Sequence, residues 1–119
     1  MKYLFLLRTA DDGLPPQGTP EAATMFHEYR AALDELARAG VLLECAPLQA
    51  ASLATTVRVR EGETMLTDGP AAELREQVGG YTLVECPDLD DALRYAALLP
   101  AAQAGSVEVR PVLAVAPPD

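Results

Sequence analysis

The chain has little of what most catalytic centres are built from. Its 119 residues include one histidine, His27, and two cysteines, Cys45 and Cys86, 41 positions apart with no ligand motif beside them. A zinc site of the finger or metalloprotease type needs clustered His and Cys at short fixed spacings, so none is expected. The only serines are Ser52 and Ser106, neither in a nucleophile elbow, which leaves a Ser-His-Asp triad little to draw on. Neither a G-x-G-x-x-G stretch nor a Walker A loop occurs, so no nucleotide cradle is indicated. On these grounds no cofactor is expected, and any catalysis falls to carboxylates, tyrosines or His27 acting as acids and bases.

Long apolar runs are missing as well. Tyr3–Leu7 is interrupted by Arg8 and is too short for the core of a signal peptide, and polar residues break every later run well below membrane-spanning length. A cytoplasmic protein with no membrane partner is therefore expected. Basic residues are scarce, nine against eighteen acidic ones, for a net charge of −9. That sign repels phosphate backbones, and no Lys/Arg run offsets it, so nucleic acid is not an expected partner.

What the chain does have is a balanced globular composition, 50% hydrophobic and 23% charged. Residues 1–119 read as one domain, long enough to bury about two-thirds of its unfolded surface. Cys45 and Cys86 fit such a core as small buried hydrophobes rather than as a disulfide framework.

Lys2–Arg8 predicts a strand with Tyr3, Phe5 and Leu7 on one face and Leu4 and Leu6 on the other. Apolar side chains on both faces mark a central strand covered on both sides. Asp11–Gly18 reads as a Gly- and Pro-rich loop. A helix then begins with Thr19 as N-cap and Pro20 at the first helical position, and runs to about Ala39 before Gly40. Met25, Tyr29, Ala32, Leu33 and Leu36 share its apolar face. Val41–Leu48 is a second strand, and Thr55–Arg60 forms a hairpin with Thr64–Thr67 through Glu61-Gly62-Glu63. Gly80–Cys86 is another strand. A second helix is N-capped by Asp88, turns Leu89, Ala92, Leu93 and Ala96 inward, and ends at Pro100. Val107–Leu113 is the last strand, and Ala116–Asp119 reads as a disordered tail. The order β-α-β-(hairpin)-β-α-β predicts an α+β, ferredoxin-like split βαβ domain. Two helices cover only one face of its sheet, so the doubly apolar first strand predicts a homodimer whose second protomer covers the other.

Among the residues able to carry chemistry, His27 lies about 200° round the helical wheel from Met25, beside Arg30, Asp34 and Arg38. It reads as a solvated side chain. Asp68, in Thr67-Asp68-Gly69-Pro70, is the best catalytic candidate. Its carboxylate either bonds backbone N–H groups of its own turn, as Asp commonly does, or is held by that turn over a ligand cleft. In Ser106–Pro111 the valines share one face and Glu108 and Arg110 the other. That pair either sets dimer register or lets Arg110 clamp a ligand carboxylate. Tyr3 and Tyr81 are either core residues or lining of the same cleft. Glu73, Arg75 and Glu76 read as a solvated face.

Two stretches, TDGPAAELREQVGGY at Thr67–Tyr81 and GSVEVRPV at Gly105–Val112, resemble the DGPF group of YCII-related proteins. The likeness extends through MKYLFLL, the Ala39-Gly40-Val41-Leu42 helix-to-strand join, Tyr81-Thr82-Leu83-Val84-Glu85 and Pro87-Asp88-Leu89-Asp90. Two departures stand out. Ala71 replaces the group's phenylalanine, and Arg94-Tyr95 stands where a tryptophan is usual. The resemblance implies a bacterial dimeric α/β barrel of ferredoxin-like protomers and a frequent link to extracytoplasmic-function sigma factors, but no particular reaction. Three functions follow as expectations: a dimer that binds a small-molecule metabolite in a cleft, either as a binding protein or as a cofactor-free enzyme, a protein-level regulatory partner of a sigma factor, or a scaffolding dimer.

Overall fold

The computed structural model of the protein describes residues 1–10 and 15–116. Part of the expected Asp11–Gly18 loop and most of the expected tail lie outside the described residues. Strand β1 (Lys2–Thr9) leads to helix α1 (Pro20–Arg38), then β2 (Leu42–Pro47), a single 3₁₀ turn (Ala51–Leu53) and the hairpin β3 (Thr55–Arg60) and β4 (Glu63–Asp68). β5 (Gln77–Glu85), α2 (Leu89–Ala96), a one-turn α3 (Ala101–Ala104) and β6 (Ser106–Pro111) complete the chain. Four strands form an antiparallel sheet in the order β2-β5-β1-β6, and β3-β4 is a separate two-stranded ribbon. With the ribbon set aside, this is the ferredoxin-like order, and β1 is central as its two apolar faces require.

The helices start where local chemistry dictates. The Thr19 hydroxyl accepts from the Ala22 amide at 3.3 Å, satisfying one of the orphan donors of α1, and the Asp88 carboxylate does the same for Asp91 at 2.9 Å. Both helices lie on one face of the sheet. Tyr3, Phe5, Leu7 and Val84 point at them and are buried with Ala32, Leu33 and Leu36 of α1, Ala92 and Ala96 of α2, and Leu99. Leu89 and Leu93, expected inward, are instead each 47% exposed. α2 spans only two turns, and its alanines at i and i+4 bring it close to the sheet, so the leucines flank the contact line and Leu99, just beyond the helix, fills the core. Pro100 does not end α2 either; it precedes α3 as its N-cap.

β5 begins at Gln77, three residues before the expected start, so the double glycine lies inside the strand where the pairing with β1 shifts between Leu7 and Arg8. A Cβ on Gly80 would approach the Ala46 carbonyl to 3.0 Å, and the missing side chain lets β2 run past. The two edge strands, β2 and β6, each finish on a proline, Pro47 and Pro111.

The hairpin packs chiefly against itself. Val57 pairs with Leu66 on one of its faces, and both side chains are at least 60% exposed. The Cα radius of gyration, 16.2 Å, exceeds the roughly 13.5 Å expected for a compact chain of this length, which reflects an element standing off the body.

Among the described glycines the tightest backbone approach is at Gly105, between α3 and β6. A Cβ there would fall 2.1 Å from the Arg8 carbonyl oxygen. Neither backbone has room to retreat, since both flank the central sheet pairing. Gly105→Ala is expected to lower stability by about 1–3 kcal/mol, the scale of core overpacking, read as a drop in the urea midpoint. An unchanged midpoint contradicts this packing.

Candidate functional site

Strand alternation and register sort side chains onto two faces, one under the helices and one without a helix over it. Leu4 stands opposite Arg110 and Leu83, and Leu6 opposite Glu108 and Tyr81. The helix-free face therefore has a half-buried apolar centre, Leu4, Leu6 and Leu83, flanked by Glu108 and Arg110 on one side and Tyr81 on the other.

Arg8 joins this face. Its Nε donates to Glu108 Oε1 at 3.1 Å, while Arg110 donates to Glu108 Oε2 at 3.2 Å. One carboxylate is thus held by two guanidinium groups, and Arg110 first, with Arg8 second, pulls its pKa below the usual carboxylate range. Arg110 keeps most of its side chain exposed. Across the sheet the Tyr81 hydroxyl donates to Glu44 Oε1 at 2.7 Å, and this bond to a carboxylate raises the Tyr81 phenol above its ordinary value.

The other expected residues lie apart. Tyr3 is 2% exposed beneath the helices, its hydroxyl toward Met1 Sδ at 3.6 Å, so it and Tyr81 lie on opposite sides of the sheet. Asp68 ends β4 opposite Thr55 and is exposed, and no described group donates a hydrogen bond to its carboxylate. Its turn is closed by other groups: the Gly69 amide donates to Ala54 O at 2.7 Å, and the Thr56 hydroxyl to Gly69 O at 2.8 Å. Gly69 sits at φ 97°, a conformation that glycine adopts at no steric cost. Ala71 is exposed beyond it. His27 is exposed on the outer side of α1, as the wheel predicts. Burial pushes the Cys86 thiol upward, away from reactivity. Among the described residues no cluster of His, Cys, Asp and Glu could hold a metal ion, and no helix is long and apolar enough to cross a membrane.

Of two hollows of similar volume, one lies on the helix side. About 510 Å³ in volume, it opens between the first half of α1, the ends of β1 and β2, and α3. Met25, Phe26 and Tyr29 of α1, Leu7, Pro47, Leu48, Pro100, Ala101 and Ala104 give it apolar walls, and Thr9, Gln17 and Gln49 add polar groups. Tyr29 helps form its wall, yet its hydroxyl and that of Thr82 are buried without a partner among the described residues. Burial, and then the neighbouring Cys45 thiol, raise the Tyr29 phenol above its ordinary value. A more open concavity is walled by Ser52, Pro70, Glu73, Leu74, Arg75 and Gln77. Neither hollow is lined by Asp68 or Arg110.

Arg8 and Glu44 were not among the residues expected from sequence. Alternation along β1 places Arg8 in the series Leu4, Leu6, Arg8, but its partner on β6 depends on a long-range register that the sequence does not state. Glu44 lies beyond a bulge in β2 that inverts its parity.

With this fold and these faces, the chain belongs to the family of YCII-related domains, whose family model matches residues 1–116. It is also similar to an uncharacterized protein of Rhizobium meliloti (strain 1021), 38% identical over 94 residues, which are 77% of this chain and 76% of that protein.

Two outcomes are expected. A carboxylate with a lowered folded-state pKa contributes stability above its unfolded pKa and loses it as pH falls through the folded value. The difference in urea midpoint between wild type and Glu108→Gln should therefore close as pH falls below the carboxylate range, and a gap that does not change with pH speaks against the double arginine clasp. Asp68→Ala should shift stability by no more than about 0.5 kcal/mol, the usual range for a surface change, because the carboxylate does not close its turn. A loss of one to two kcal/mol, the scale of a helix or turn cap, would instead reveal a capping role.

Proposed function

We propose that the protein is a homodimer that binds a small-molecule metabolite, with the helix-side cavity as the ligand site. The observation that carries this reading is the cavity itself. Its volume lies within the range of small-molecule sites, and its walls combine apolar surface with a few polar side chains. Dimerisation through the helix-free sheet face would cover Leu4, Leu6 and Leu83, and the Arg8-Glu108-Arg110 network would then fix the register of the two protomers. In this arrangement Glu108, Arg110 and Tyr81 belong to the subunit contact. Asp68, exposed at the base of the hairpin, is free to meet either a ligand or a partner.

Sedimentation equilibrium at micromolar concentration should give twice the 12.6 kDa chain mass, and Leu6→Glu should return it to the single-chain value. Native mass spectrometry of protein from its own host should show a retained small molecule that is lost in Ala101→Phe, which fills the cavity. A monomeric wild type, or a ligand kept by Ala101→Phe, argues against the respective half of the reading.

The hairpin favours a second reading, a regulatory partner of an extracytoplasmic-function sigma factor. Val57, Val59 and Leu66 present an apolar strip on an element that packs chiefly on itself, the kind of surface a protein partner covers. Val57→Lys would abolish such an association while leaving the cavity intact.

A further inference from the structure

Resting on the reading of the helix-side cavity as a ligand site, we infer that its ligand is an uncharged, mostly apolar ring compound, aromatic or alicyclic, with a hydroxyl or carbonyl group at one end. The charge pattern carries this. Among the described residues that wall the cavity there is no Asp, Glu, Lys, Arg or His. The organised charges nearest the sheet, Arg8, Glu108 and Arg110, lie on its opposite face and bond one another. A carboxylate, phosphate or ammonium entering the cavity would lose water and meet no counter-charge among the described residues, a loss that apolar contact does not offset. The net charge of −9 adds a field that disfavours anions over the whole surface.

Two of the polar groups, Thr9 and Gln49, sit at one end. Thr9 closes β1, and a Cβ on Gly79 would lie in ordinary contact, 3.5 Å, with its hydroxyl. The Leu48 amide donates to Gly79 O at 2.9 Å, which brings Gln49 to the same rim. A hydroxyl and a carboxamide at a strand-end rim can each donate and accept, which suits a neutral polar substituent. The remaining walls, with Phe26 and Tyr29 on α1 and alanines on α3, combine aromatic and small side chains, which suits a ring more than a long flexible chain. Gly79 contributes to this space by having no side chain.

Three probes of one shape separate the possibilities: 2-naphthol, 2-naphthoate and 2-naphthylmethylammonium, titrated calorimetrically into the full-length protein at neutral pH. The neutral probe should bind at least about tenfold more tightly than either charged one, the least that an unpaired buried charge should cost. Its binding should be lost in Gly79→Val, whose branched side chain suits a strand and enters the space, and weakened in Gln49→Ala, which removes the rim carboxamide. Equal or tighter binding of a charged probe overturns the inference about ligand class while leaving the cavity a ligand site. Failure of all three probes to bind the wild type overturns both. Unchanged 2-naphthol binding in both Gly79→Val and Ala101→Phe places the probe elsewhere and overturns both as well.

Discussion

Burial of β1 on the helix side is the constraint on which the rest of the fold depends. Tyr3, Phe5 and Leu7 lie at 2%, 0% and 6% exposure, and they form one core cluster with the buried side chains of both helices, Val41, Val84, Cys86 and Leu99. Truncating any large member of such a cluster typically costs several kcal/mol, a large share of the whole stability of a domain this size. Because the strand is central, its neighbours inherit its parity. The residues of β5 and β6 opposite Tyr3, Phe5 and Leu7 face the helices, and those opposite Leu4 and Leu6 face away. The separation of an apolar cavity from a charged face is thus a consequence of where one eight-residue strand sits.

Much of this was legible in the sequence because it rests on local signals. Thr19-Pro20 and Asp88 mark helix starts by their capping chemistry, the run Tyr3–Leu7 declares a central strand by its two apolar faces, and Glu61-Gly62 between alternating residues declares a hairpin. The candidate site was less legible. The clasp on Glu108 needs Arg8, one hundred residues earlier, and only the β1–β6 register joins them. The pairing of Tyr3 with Tyr81 in one cleft failed for a related reason: position along a strand says which residues share a face within that strand, but the relation between strands waits on register. The cavity left no local mark, since it is made by absences, at Gly79 and at alanines in three separate segments.

The two stretches that carry the family likeness take on a physical meaning here. In the first, Gly69 supplies a left-handed turn at the foot of the hairpin and Gly80 lets β2 pass close to β5. In the second, Gly105 lets the start of β6 lie against the Arg8 backbone, and Glu108 and Arg110 complete the charged network. Gly69, Gly80 and Gly105 each have a folding reason that is independent of any chemistry, so the motifs mark the architecture more directly than they mark a reaction. The same division explains why Asp68, between a strand end and one of these glycines, is exposed without closing its own turn.

The prolines at the ends of both edge strands bear on how copies of the chain can meet. A sheet with open edges invites end-on growth, strand by strand, into ribbons and aggregates. Pro47 has no amide hydrogen to offer at the end of β2, which is also bulged, and Pro111 has none at the end of β6. Lateral extension of the sheet is blunted on both flanks, while its broad helix-free face remains open. Edge-to-edge growth of the open-ended kind that builds a fibril is thereby disfavoured.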